Sequence, residues 1–175
     1  PVGACDVNGQ QLDLRRSNSW LLKVDEVPTG EVVEAMLINV IAPFVLTAKL
    51  LPLMQGLPGA SDGGKRHIVH VSAMEGKFYR FKTPNHPHTN MAKAALNMLT
   101  RTTAEDLKSK GVYVNSVDTG WINDENPLDK AKRYAEAANF QTPIDEVDAA
   151  ARILDPIVTC NNTGEGMAGQ FLKDY

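Results

Sequence analysis

In the stretch PHTNMAKAALNML, Thr89 stands four residues before Lys93, so on a helix a hydroxyl and an ammonium share one face, one turn apart. A helix-start threonine and a solvated lysine are the plain readings of the pair. Ser72 closes the apolar run IVHVS and Asn39 sits in the stretch INV, adding a second hydroxyl and an amide. Tyr79, His86 and His88 lie in a long connection and are acid/base candidates, with an ordinary surface loop as the simpler reading. His86 and His88 flank Pro87, yet neither cysteine nor acid stands at metal-ligand spacing beside them, so no metal is expected. His67 and His70 bracket a strand and carry no further signal.

Elements must hold these groups in place. Residues 1–28 read as an irregular leading segment, with a turn at Asp6, Asn8 and Gly9. From Glu31 to Met54 apolar residues such as Val33, Met36, Leu37, Val40, Ile41 and Phe44 recur at threes and fours, which predicts a helix with Thr29 as its N-cap. Pro43 falls inside that pattern and implies a kink or two nearly continuous helices. Gly56 to Arg66 is a surface loop by composition, Ile68 to Ala73 a buried strand, and Gly76 to His88 a long connection.

Asn90 to Ser109 reads as a helix whose stripe of Met91, Ala92, Ala95, Leu96 and Leu99 is widened by Ala94 and Met98, enough to be covered on two sides. Lys110-Gly111 stops it. Val112 to Val117 is the next strand, and a helix is expected around Lys130 to Ala138. Thr142-Pro143-Ile144-Asp145 opens another helix carrying Val147, Ala150, Ala151 and Leu154, and GMAGQFLKD holds a final short strand. The alternation predicts an α/β fold of parallel crossover units, with helices on both faces of the sheet. Three parallel strands make half of a doubly wound domain, and the other half is expected before Pro1.

The chain has 175 residues, enough for one domain with a core. Lys and Arg number 18 against 21 Asp and Glu, a net charge of −3 without long like-charge runs, so neither a nucleic-acid footprint nor a basic membrane patch is expected. No run is read as reaching the roughly 20 apolar residues of a membrane span, and PVGACDVNGQ has no signal-peptide pattern. Cys5 and Cys160 form no disulfide framework, which suggests a reducing compartment, cytoplasmic with an organelle left open.

Several segments taken in order resemble the short-chain dehydrogenases/reductases. INVIAPFVLTAKLL is similar to that family's fourth helix, IVHVSAMEG to its fifth strand, AKAALNMLTRTTAEDL to its fifth helix, and VYVNSVDTGW to its sixth strand and following turn. The resemblance covers nearly the whole chain from Glu31 and implies the C-terminal half of a Rossmann-like, three-layer fold. It also implies NAD or NADP as cofactor in a full-length relative and hydride transfer at a carbonyl or alcohol. The family's catalytic set is an asparagine, a serine, a tyrosine and a lysine four residues after the tyrosine.

On these positions Asn39 and Lys93 match, Ala73 takes the serine place with Ser72 one residue early, and Thr89 takes the tyrosine place. An aliphatic hydroxyl does not ionise near neutral pH, whereas a phenol near 10 can be pulled down by a cation. The segment from Ala73 to Thr89 is a few residues longer than the family norm, so Tyr79, His86 or His88 could substitute. After the sixth strand Gly120 stays, Thr119 replaces a proline, Ile122 falls where a backbone contact to nicotinamide belongs, and Asp124 would repel a pyrophosphate. GEGMAG, Gly164 to Gly169, is glycine-rich but opens no helix and reads as the turn into the last strand.

The expectation is one partial domain over 1–175, classed with NAD(P)-dependent oxidoreductases by similarity, with a degenerate catalytic set and no cofactor held by this chain alone. The alternative is a noncatalytic subunit for binding or assembly. The resemblance further implies a homo- or hetero-oligomer through helices 31–54 and 90–109, with neither nucleic acid nor membrane insertion.

Overall fold

Runs rich in β-branched residues pack best as half- or fully buried strands, and the two in this chain become β1 (Arg66–Ser72) and β2 (Val112–Asp118). The computed structural model describes residues 3, 5, 14–55, 64–122, 125–138 and 142–173. β1 and β2 pair in parallel from Arg66 opposite Val112 to Ser72 opposite Asp118. β3 (Phe171–Leu172) joins the other edge of β2, also parallel, through Ser116 opposite Phe171 and Val117 opposite Leu172. β2 is therefore central among the described strands, which is why Val112, Val114 and Val117 are fully buried.

The helices are α1 (Thr29–Met36), α2 (Ala42–Met54), α3 (Pro87–Ser109), α4 (Leu128–Ala138) and α5 (Glu146–Thr163). Ala104 and Leu107 of α3 meet Val112 and Val114 of β2 in the core, with Leu51 and Met54 of α2 and Ile68 of β1 packed against them. This is the expected fold class, a parallel sheet with helices packed on it, as in part of a Rossmann-like domain.

Several boundaries differ from the sequence reading. The helix expected over Glu31 to Met54 is split by a π turn, Leu37–Ile41, in which the Ala42 N–H donates to Leu37 O. Pro43 has no N–H to give Asn39 O four residues back, and the wider turn places the proline at the start of α2, where a missing donor costs nothing. Thr29 is the first helical residue rather than the cap; Pro28 holds the cap position, and its carbonyl accepts from Glu31 and Val32. α3 starts three residues early, at Pro87, after His86 in the left-handed region (φ 39°, ψ 50°).

α5 is capped by Asp145, whose Oδ1 accepts from the N–H groups of Val147 and Asp148 at 2.9 Å each, so Thr142-Pro143 lies outside the helix. Its buried residues are Ala149, Pro156 and Cys160, while Val147 and Leu154 of the apolar pattern are exposed. The helix has apolar groups on two faces, and only packing decides which is covered.

The run Thr29–Met54 carries a window of mean hydropathy 1.9 with none of that window buried, so by length and composition one helix does reach the span criterion that the sequence reading set aside. Of the leading segment, 14–28 forms turns, and most of 1–13 lies outside the described residues, as does most of the loop from Gly56.

Leu107→Ala should lose about 2–5 kcal/mol of stability by urea unfolding, as a buried leucine cut to alanine does. Val147→Ala, at an exposed position, should change it by no more than about 0.5 kcal/mol.

Candidate functional site at the strand ends

Parallel pairing puts the C-terminal ends of β1 and β2 at one end of the sheet, with Ser72 beside Asp118. The chain leaves β1 through a 3-10 turn, Met74–Gly76, that lies directly on α3. A Cβ on Gly76 would stand 2.6 Å from the Lys93 carbonyl oxygen and would also strike the Asn97 amide, so only glycine allows this approach. The turn thereby brings the β1 end against the α3 segment that bears Thr89, Lys93 and Asn97.

Lys93 is half-buried, and its Nζ donates to Val71 O at 3.0 Å. Burial lowers its pKa from the ordinary lysine value, and Glu75 nearby opposes the shift. Thr89 lies one turn earlier, also half-buried. Ser72 is buried and donates to Asn97 Oδ1 at 2.6 Å, which ties β1 to α3. Asn39 donates from its amide to Ala35 O at 3.0 Å and lines a cavity of about 350 Å³ with Val71, His70 and Leu96, so it shares a wall with the strand that receives Lys93. Because residue 43 is proline, the Asn39 carbonyl lacks the N–H an α-helix would supply there.

At the end of β2 the Gly120 N–H donates to Asp118 Oδ1 at 2.9 Å, and Gly120 adopts φ 87°, a turn that suits glycine. Arg152 of α5 donates to Thr119 O at 2.7 Å and holds this turn. Ile122 follows, half-buried; Asp124 lies outside the described residues.

The loop candidates separate. Tyr79 is exposed, 5.6 Å from the Lys77 ammonium. His86 stacks on Trp20 at 3.8 Å with the rings nearly parallel, and its Nδ1 accepts from the Asn90 amide at 3.0 Å. His88 points elsewhere, buried, with Nε2 3.5 Å from Glu31. The two histidines that sequence placed together thus serve different contacts.

Sequence reasoning passed over Lys82 and Asn90. The Lys82 Nζ donates to Met74 O (3.1 Å), Glu75 O (2.6 Å) and Asn90 Oδ1 (2.8 Å), locking the loop onto the site. Its pKa is lowered by burial against the opposing pull of Glu75. A lysine in a polar loop gives no spacing signal, so only the fold reveals it.

Beneath the site, Thr100 donates to Leu96 O at 3.2 Å and stands 2.7 Å from both His70 Nδ1 and Ser116 Oγ. With its single proton spent, Thr100 receives the other two, which assigns His70 the Nδ1–H tautomer. The glycine-rich Gly164–Gly169 stretch runs from the α5 C-cap to the turn before β3, and a Cβ on Gly166 would meet the Tyr113 ring, so it offers no phosphate cradle.

A parallel sheet with helices packed on it defines a Rossmann-like α/β protein. The chain belongs to the short chain dehydrogenase family, whose sequence pattern matches residues 17–135, and its similarity is to oxidoreductases. It is 33% identical over 157 residues to an uncharacterized protein of Acanthamoeba polyphaga mimivirus, covering 85% of this chain and 32% of that one. It superposes on the carbonyl reductase Sniffer of D. melanogaster with TM-score 0.66 at 19% identity, over 86% of this chain and 57% of that one. It also superposes on the Pseudomonas aeruginosa RhlG/NADP active-site complex with TM-score 0.60 at 20% identity, over 89% and 60%. At such identities the two structures speak for the fold. The chain spans about a third of its viral relative's length and under two thirds of either solved chain.

Burial holds the pKa values of His70, His67 and His86 below the ordinary 6.5. The unfolded chain then binds more protons than the folded one below that value, so stability falls as pH drops from 6.5 toward the lowered pKa values. The thermal midpoint should decrease between about pH 7.5 and about pH 5.5, and His70→Asn should flatten that slope.

Proposed function

We propose that this chain is the lysine-bearing part of an NAD(P)-dependent oxidoreductase of its family in which Ala73 and Thr89 replace the usual serine and tyrosine. The observation that carries this reading is Lys93: its ammonium is held at Val71 O, one helical turn from Thr89 and not from a phenol. A nicotinamide cofactor supplies the hydride when bound. Lys93 would hold its ribose, and the glycine-bent backbone from Gly120 to Ile122 would face its carboxamide; the donor, the turn and the partly buried setting fit that end of a dinucleotide.

What the cluster lacks is a group able to give and take a proton at the substrate oxygen. Thr89 and Ser72 stay protonated near neutral pH, and Ser72 already donates to Asn97. His86 stands at the cap of α3, three residues before the usual place, with a pKa lowered mainly by burial. It is the better relocated acid/base candidate than Tyr79, which faces solvent.

The apolar faces favour a second role, assembly. Leu37, Ile38, Ile41 and Phe44 of the α1–α2 run and Met91 and Met98 of α3 are exposed, a large apolar surface that a protein partner would cover. On this reading Thr29–Met54 is an interface helix, and its hydropathy is that of a face awaiting a partner, in a homo- or hetero-oligomer built through helices 31–54 and 90–109.

Titration of the full-length protein with NADH and NADPH, followed by nucleotide fluorescence, should show saturable binding that Lys93→Met weakens about tenfold or more. Thr89→Tyr should raise the carbonyl-reductase rate; no fluorescence change with either nucleotide overturns the cofactor reading. Light scattering should find an oligomer that Ile41→Glu with Met98→Glu converts to monomer, whereas a monodisperse unaltered monomer removes the assembly role.

A further inference from the structure

Backbone and ring of His86 are both held. Its N–H donates to Leu22 O at 2.8 Å, its carbonyl accepts from the Asn90 N–H at 3.2 Å, and its ring lies on the Trp20 indole. Among the described residues it is the one non-glycine with positive φ. A left-handed histidine carries a cost that glycine would avoid, and such strain persists where the surrounding structure fixes the residue for a use.

The hydrogens around the ring follow from its neighbours. The Lys82 ammonium has three N–H groups and no acceptor, and it spends them on Met74 O (3.1 Å), Glu75 O (2.6 Å) and Asn90 Oδ1 (2.8 Å). Turning the Asn90 amide over would set its NH2 against that ammonium and its oxygen against His86 O, so Lys82 fixes which way the amide points. The two amide N–H groups then go to His86 O and His86 Nδ1, both at 3.0 Å. Nδ1 is thereby an acceptor, and the one proton of the neutral ring sits on Nε2. Burial favours the neutral ring by lowering its pKa; Glu75 opposes this, while His88 and Lys82 add to it.

We infer that Asn90 and Lys82 are positioning residues that lock His86 in its Nε2–H tautomer, so that the ring serves as a hydrogen-bond donor to a substrate carbonyl oxygen. This rests on the reading of His86 as the substitute for the missing tyrosine, and it narrows that role. With Nδ1 covered by an N–H, the ring has no lone pair to take a proton, so it polarises the oxygen and stays neutral before and after. The Nε2–H stabilises the negative charge that grows on oxygen as hydride reaches carbon. The same bonds reach the lysine: Lys82 ties down the turn that seats Gly76 on the Lys93 carbonyl, and Asn90 stands three residues before Lys93.

The test is NMR of the imidazole nitrogens in the full-length protein labelled at histidine. His86→Asn assigns the signals, because asparagine tolerates the left-handed backbone. Without nucleotide, His86 should show a pyrrole-type Nε2 and a pyridine-type Nδ1. Asn90→Asp sets a carboxylate against Nδ1, so that nitrogen should gain a proton and the His86 pKa should rise by about one unit or more. Lys82→Met lets the amide turn and should bring up a population with the proton on Nδ1. A pyrrole-type Nδ1 in the unaltered protein, or unchanged His86 signals in Asn90→Asp, overturns the inference. These readouts use no nucleotide, so a failure of nicotinamide binding strikes only the cofactor reading. In reduction of benzaldehyde with NADPH, His86→Asn should lower kcat about tenfold or more. Asn90→Asp should add a pH limb between about 6.5 and about 9 that the unaltered protein lacks. An undiminished kcat in His86→Asn overturns the donor role.

Discussion

His70, Thr100 and Ser116 form a buried hydrogen-bonded chain that joins β1, α3 and β2. Each of the three is at least nine-tenths buried, so each bond must be made or its polar atom is stranded. Slipping α3 by one residue along the sheet would break it, and slipping β1 by one along β2 would break it and turn the side chains of β1 to the other face. One helical turn before Thr100, Ser72 and Asn97 repeat the link at 2.6 Å. The position of Lys93 relative to the strand ends follows from these bonds and from the close seat of Gly76 on the α3 backbone.

That seat concentrates positive charge where the strands end. Lys82 and Lys93 both have pKa values lowered by burial, and Glu75 works against the shift in each case. A cation kept partly out of water seeks an oxygen: Lys93 takes Val71 O, and Lys82 takes two carbonyls and an amide. The hydroxyl that stands nearest Lys93 in sequence, Thr89, is one that does not ionise near neutral pH.

Much of this was legible in advance for physical reasons that act locally. β-branched runs became β1 and β2, the glycine after Lys110 ended α3 at φ 75°, and the motif spacing around Lys93 pointed to the family. Other readings failed where two local solutions compete. Thr142-Pro143 and Asp145 are both good helix starts, and the carboxylate won by accepting two N–H groups. Both faces of α5 carry apolar residues, and the covered one was the face of Ala149, Pro156 and Cys160. His88 and Thr100, polar by type, lie on the buried seam of α3, because each has a partner there.

The residue order alone settled the alternation of helices and strands, their parallel sense and the identity of the groups at the Asn39, Thr89 and Lys93 positions, since periodicity and side-chain chemistry are properties of short segments. The fold decided which of those groups meet. It separated His86 from His88, spent the Ser72 hydroxyl on Asn97, recruited Lys82 from a loop without a motif, and left Phe78 and Phe81 in water. Each of these depends on contacts between residues distant in the chain or on the direction in which a loop leaves its anchors, and no short window of sequence contains either.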